Sequence, residues 1–320
     1  MILPVDKPIE SLYVHVPFCA HKCEYCAFFS EAAEGALINR YVAALIRELE
    51  FVAADLRPRT IFFGGGTPSL LNLRQWEQIL AAMQRLGLAS AEEWTVECNP
   101  ATVSLDKAKL LRAAGVNRIS MGVQSLDENL LDRLGRVHSR EMVFRSFDIL
   151  RAAGFANLNL DLMFAIPGQT VANFARTTSS TPDGVPSFAC QHNINYWRGG
   201  YYHGLGPSAA GYVRGVRTKN WANTQLYCEQ LEKGKRAIES REELPPLRRA
   251  GEIAAFGLRM NVGWPFQQFA AATGFDLPRD WSREMNQLVD RGWGRREPDR
   301  FHLTASGLRF ADAAAEMFLR

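Results

Sequence analysis

Cys19, Cys23 and Cys26 fall within eight residues of one another, spaced C-x3-C-x2-C. An ordinary electron-transfer iron–sulfur cluster is closed by four cysteines. Three thiolates can hold three irons of a [4Fe-4S] cube and leave the fourth open to a small chelating molecule. Two plainer readings compete. Cysteine is a good buried hydrophobe, yet His21, Lys22 and Glu24 lie between these three and mark a loop. A Cys3His zinc site, with His15 or His21 as fourth ligand, uses the right donor types. Zinc sites usually bring a second ligand knuckle, and none follows here.

The surrounding pattern says how such a loop would be held. Residues 11–16, 60–63, 94–97, 118–123 and 159–164 are short, apolar or β-branched runs that end in Gly, Pro, Asn or a polar turn, and read as strands. Between them, residues 40–56 place Tyr41, Leu45, Leu49 and Val52 on one helical face. Residues 73–86 do the same with Trp76, Ile79, Leu80 and Met83, and 105–114 and 140–153 follow suit. Five strand–helix units in succession imply a parallel sheet. Functional loops should then gather at the carboxyl ends of the strands. The cysteine loop follows the first strand, a Gly64-Gly65-Gly66-Thr67-Pro68 run follows the second, and Glu97-Cys98-Asn99-Pro100 closes the third. Gln124 closes the fourth, and Asp161 lies within the fifth.

After Thr170 the character changes. Residues 176–187 are polar and turn-rich and read as a loop, residues 191–212 are aromatic and glycine-rich, and 223–239 read as a helix ended by Pro245-Pro246. Helical patterns at 252–260, 266–272 and 281–291, a hairpin at 293–303 and a last helix from Ser306 resemble a small helical domain with a wing. The expected division is a core barrel over 1–170, a linker region over 171–245 and a C-terminal helical domain over 246–320. A net charge of +3 is too near neutral to point to nucleic acid or an anionic membrane, although it leaves peripheral membrane contact open. The start of the chain shows no signal-peptide core, and no apolar run has transmembrane length. A cytoplasmic location is expected, where thiols stay reduced, so the six cysteines are not a disulfide framework. Cys98 and Cys228 read as buried apolar residues.

The strings Tyr13 to Cys26, Phe63 to Ser69, Glu97 to Pro100, Ser120 to Ser125, Leu134-Gly135-Arg136-Val137-His138 and Asp161 to Gln169 are specific. Together they resemble the branch of radical S-adenosylmethionine (SAM) proteins that contains oxygen-independent coproporphyrinogen III oxidase and the heme chaperone HemW. The later His192-Asn193-Ile194-Asn195-Tyr196-Trp197 and Gly204 to Ala209 match that branch too. The oxidase pattern has a further cysteine two positions after the third. Here that position is Phe28, as in the chaperone pattern, and His192-Asn-x-x-Tyr-Trp197 resembles the chaperone's heme-binding motif. Family members carry a sixth barrel strand after the Pro-Gly-Gln-Thr170 string, for which residues 171–176 offer no counterpart. The resemblance therefore implies a partial (βα)6, TIM-like barrel lacking its sixth strand, followed by a small winged-helix-like domain.

It also implies residue roles. Cys19, Cys23 and Cys26 would each take one iron of a [4Fe-4S] cluster, whose open iron chelates SAM; the pair supplies reductive cleavage of the sulfonium to a 5′-deoxyadenosyl radical. Gly65, Gly66 and Thr67 would let backbone approach the methionine amine; read alone, they are a turn-forming run. Glu97 would offset the sulfonium charge, where the plain reading is a strand-end surface carboxylate. Gln124 and Asp161 suit ribose hydroxyls, and Asp161 inside an apolar strand is costly unless paired. Arg136 would fork onto the methionine carboxylate, against a plain helix-end cation. Tyr13 would sit near the cluster or pack as strand core. His192 is the candidate axial heme ligand, with Tyr196, Trp197, Tyr201 and Tyr202 lining a porphyrin face, unless the aromatic loop is packing alone. The implied function is a heme chaperone that delivers heme to acceptor hemoproteins of the respiratory chain and draws on a reductant such as flavodoxin or ferredoxin. The alternative is the oxidase, which decarboxylates coproporphyrinogen III.

Overall fold

The computed structural model describes residues 7–32, 34–172 and 188–320. The loop expected at 176–187 lies outside them. Five parallel strands follow in order along one sheet: β1 (Ile9–Val16), β2 (Leu56–Gly65), β3 (Glu93–Cys98), β4 (Arg118–Gln124) and β5 (Asn157–Leu162). A short later strand, β6 (His203–Leu205), adds to the free side of β1, in parallel, with Leu12 opposite His203. The sheet order is therefore β5-β4-β3-β2-β1-β6. Helices cross between strands: α1 (Gly35–Val52), α2 (Leu73–Arg85), α3 (Leu105–Ala113), α4 (Glu128–Arg133) and α5 (Arg140–Ala152).

The expected helical faces are the buried ones. Tyr41, Leu45, Leu49 and Val52 of α1, and Trp76, Ile79, Leu80 and Met83 of α2, pack on Leu12, Val14, Ile61, Phe63 and Val96 of the sheet. Asn72 starts α2 with a capping box: its side chain accepts from Gln75 N–H, and Gln75 returns the bond to Asn72 N–H. The first helix starts at Gly35 and stops at Val52, not over 40–56, because Leu56 already belongs to β2. Central strands are buried on nearly every residue, as a covered parallel sheet requires. β5 is different: none of its six residues is buried. Among the described residues β4 is its one paired neighbour, and no sixth barrel strand pairs with its other side.

The middle of the chain departs from expectation in three places. The aromatic stretch begins with a helix, α6 (Gln191–Trp197), rather than a loop. The helix expected over 223–239 is shorter, α7 (Thr224–Glu232), because Gly234 takes φ +70° and the chain turns into β9 (Ile238–Glu243). β9 closes a three-stranded antiparallel sheet with β7 (Ala210–Val213) and β8 (Val216–Asn220). Pro245-Pro246 opens a helix instead of merely ending one: α8 (Pro246–Gly257) has proline in its first turn, where the missing N–H costs nothing. Leu205, Tyr227, Cys228 and Leu231 from this region share the core of the main sheet. Residues 250–318 form a second core around Trp264, Phe269, Trp281, Phe301 and Phe318. Its hairpin pairs Gly294–Arg296 with Arg300–Leu303, and Trp264–Pro265 adds a third strand.

Candidate cofactor site and porphyrin region

The carboxyl ends of β1 to β4 surround a cavity of about 190 Å³. Cys19, Cys23 and Cys26 line it together with Gly65, Gly66, Thr67 and Arg136. The loop is pinned to its neighbour through backbone: Gly66 N–H donates to Val16 O at 2.8 Å and Thr67 N–H to Phe18 O at 2.8 Å. A Cβ on Gly66 would meet Phe18 O at 2.7 Å and Val16 O at 2.8 Å, and Gly65 holds φ +103°. The run thus needs glycine for close approach and not only for turning. Thr67 hydroxyl donates to Cys19 Sγ and Arg136 Nη1 to Cys23 Sγ, each at 3.6 Å.

The fit to an iron–sulfur cluster with a chelating amino acid is good on two counts. The three thiols border one cavity, as a four-iron body held by three ligands requires. His15 is also committed: its ring bonds Tyr13 hydroxyl at 2.9 Å and Phe29 carbonyl at 2.8 Å. The second count is Arg136. Its Nη2 donates to Gly122 O at 2.8 Å, while its Nε is buried and has no partner. An orphaned guanidinium N–H at a cavity wall is costly, and a carboxylate would satisfy it.

Glu97 stands beneath the glycine run and accepts from Gly65 N–H at 3.1 Å. Burial, and then the charge of Asp161, hold its carboxyl up to about 8; the Gly65 N–H and Arg118 pull the other way. Asp161 is exposed on β5, where it accepts from Ser120 hydroxyl at 2.9 Å and Asn159 amide at 2.7 Å. Gln124 ends β4 at φ +65°, a strained conformation for a residue with a Cβ. These three follow the inner face away from the cysteines and do not border their cavity. Sequence reasoning missed Asn99 and Thr102, which border it, and Lys107, whose Nζ donates to Ser69 O and Thr102 O and so ties the loops after β2 and β3 together. Lys107 sits in the first turn of α3, and no local signal marks it.

Tyr13 and His192 lie deeper. Tyr13 is packed beside Phe62 and His192, with ring centroids 6.2 and 6.5 Å away, and burial raises its phenol pKa. His192 has no exposed surface. Thr60 hydroxyl donates to Ser11, so it accepts from His192 Nδ1–H at 2.9 Å; Nε2 then accepts from Tyr196 hydroxyl at 2.7 Å. Burial drives the imidazole down to about 3, so it is neutral. Glu93 caps its helix, accepting from Gln191 N–H and His192 N–H. His192 therefore offers no open nitrogen to an iron in this conformation. Thr60 is five residues before Gly65 on β2, which sets His192 about 16 Å below the cysteine cavity at the usual strand rise.

A parallel sheet of successive strand–helix units, carrying three cysteines after its first strand, is the arrangement of a radical SAM protein. The Radical SAM superfamily model matches residues 13–179. Over the whole chain, the heme chaperone HemW of Lactococcus lactis is 30% identical across 376 aligned positions, covering 98% of both chains. The oxygen-independent coproporphyrinogen III oxidase of Bradyrhizobium diazoefficiens is 36% identical over 192 positions, but these span 57% of this chain and 43% of that one. The structure of coproporphyrinogen III oxidase (HemN) from Escherichia coli superposes with TM-score 0.80 at 20% identity, over 98% of this chain and 90% of the other. The chain belongs to the radical SAM superfamily and, within it, to the HemW family. The 376 aligned positions exceed the 320 residues available, so at least 56 of them face gaps in this sequence.

Proposed function

We propose that this chain is a heme chaperone that carries a [4Fe-4S] cluster and SAM at the cysteine cavity and passes heme to acceptor hemoproteins. The observation that carries the reading is end-to-end sequence likeness to a HemW protein, set against sequence likeness to an oxidase over little more than half the chain. Phe28 supports it. It occupies the position of the oxidase's extra cysteine and is 67% exposed, without a thiol to offer. No helix among the described residues is long and apolar enough to cross a membrane.

Within this reading, Cys19, Cys23 and Cys26 hold the cluster, and Arg136 pairs with the methionine carboxylate of SAM. Gly65, Gly66 and Thr67 border the amine, Glu97 balances the sulfonium, and Gln124 and Asp161 face the ribose. A flavodoxin or ferredoxin class of reductant supplies the electron. The experiment is anaerobic reconstitution followed by two assays on one preparation. Hemin titration should give a saturable Soret band, and incubation with coproporphyrinogen III, SAM and dithionite should yield no protoporphyrinogen. Product formation, or absence of hemin binding, overturns the chaperone reading. Each Cys→Ser change at 19, 23 or 26 should strip iron and sulfide from the protein; retention of a full complement would remove that residue from the ligand set.

A further inference from the structure

The far side of the inner face carries a charge that the cysteine cavity does not use. Val96, Ile119 and Leu158 belong to the core that β3, β4 and β5 share with the helices. Side chains alternate along a strand, so the residues on either side of each point inward. Register sets Thr95 beside Arg118 and Arg118 beside Asn157, in one row across the three strands. Glu97, Ser120 and Asn159 form the next row towards the cysteines.

Arg118 is 5% exposed, and it makes no hydrogen bond or ion pair with any described residue. The hydroxyl of Thr95 and the side-chain oxygen of Asn157 are buried and unpartnered as well. Three orphaned polar groups, one of them a full charge, thus stand side by side, which is costly for the fold. The neighbouring carboxylates do not relieve it. Glu93 accepts from the N–H groups of Gln191 and His192, and Asp161 accepts from Ser120 and Asn159. Glu97 accepts from Gly65 N–H.

We propose that this row binds a small oxyanion that also carries a hydroxyl: a hydroxycarboxylate or hydrogen phosphate. The Arg118 guanidinium pairs with two of its oxygens through its planar fork. Thr95 hydroxyl donates to the anion, and the Asn157 oxygen accepts from the ligand's hydroxyl. The ligand enters from the foot of the sheet, where Asn157 borders a cavity of about 580 Å³. Glu10 and Glu92 at that cavity are both paired with Arg59, which screens their charge from an entering anion. None of the three residues borders the cysteine cavity, so the site is separate from that of the cluster and does not depend on the chaperone reading.

The test uses the full chain, reconstituted anaerobically, with lactate, phosphate and acetate as probes and chloride at equal ionic strength as the blank. Melting temperature and titration calorimetry are read for each. Lactate or phosphate should raise the melting temperature saturably, and the stronger of the two identifies the class. Acetate has no hydroxyl and should bind more weakly than that probe. Arg118→Met should raise the melting temperature of the ligand-free protein, because it removes an unpartnered buried charge. It should also weaken the stronger probe by roughly 10-fold or more. Asn157→Ala should fold and should erase the advantage of that probe over acetate. A response to lactate and phosphate no larger than to chloride overturns the site, and so does full affinity in Arg118→Met. A lower melting temperature in Arg118→Met would make Arg118 a structural residue and overturn the proposal too.

Discussion

Glu97 gives the most direct test of the SAM site, because its proton and the sulfonium compete for the same carboxylate. Its carboxyl is held up to about 8 by burial and by Asp161. At pH 7 a group of that pKa is ionised in about one molecule in eleven, and ionising the rest costs about 1.4 kcal/mol. The direction follows from the raised value: the neutral form dominates below pH 8, and a permanent cation selects the ionised form. SAM affinity should therefore climb about tenfold between pH 7 and pH 9 and then level off. S-adenosylhomocysteine carries no sulfonium, so its affinity should stay nearly flat over the same range. Anaerobic equilibrium dialysis of both ligands across pH 6.5–9.5 reads the difference. Glu97→Gln should bind SAM at the weak, low-pH level throughout and lose the slope. A flat SAM curve in the unaltered protein, or the same slope in Glu97→Gln, would refute the assignment of Glu97 to the sulfonium. The same shift has a cost for the unliganded fold. A carboxyl raised on folding loses stability as pH rises from its unfolded value of about 4.5 towards 8, so thermal stability of the protein without SAM should fall over that interval and SAM should restore it.

Arg136→Lys keeps the charge but loses the planar fork and the orphaned Nε–H. SAM affinity should drop roughly 10-fold or more in the same dialysis assay, with iron content unchanged; unaltered affinity would detach Arg136 from the carboxylate. His192→Ala strips partners from Thr60 and Tyr196 in a fully buried setting. At about 1–3 kcal/mol for such a loss, and about 2–4 °C per kcal/mol for a sizeable domain, the melting temperature should fall by several degrees. The hemin Soret band should persist. Its disappearance in a folded variant would return His192 to the iron.

The chemistry at the carboxyl edge was legible because spacing constrains it locally. C-x3-C-x2-C and the Gly64–Pro68 run are contiguous, and each was expected to follow a strand; the fold then brought them to one cavity without further information. The helices α1 and α2 were legible for the same reason, since their buried faces repeat every three to four residues. What failed were the features set by long-range packing. The helix at Gln191–Trp197 is stabilised by Glu93, nearly a hundred residues earlier, which caps it from β3. Nothing in Gln-His-Asn-Ile-Asn-Tyr-Trp announces that partner. Lys107 likewise bonds backbone oxygens that only the closed sheet brings near it. The burial of the His192 imidazole between the hydroxyls of Thr60 and Tyr196 was not legible either, because Thr60 lies far from it in sequence.

That burial also orders the inner space of the sheet. From the cysteine end downward, Gly65 meets Glu97, Tyr13 meets His15, and then Phe62, His192, Tyr196 and Tyr202 follow ring against ring at 4.3–5.3 Å. Leu12 pairs with His203, so Tyr202 stands at the level of the strand starts, about 16 Å from the cysteine cavity. The chain of rings thus runs from the middle of β2 to the tyrosines beside β6 and encloses His192, which has no exposed surface.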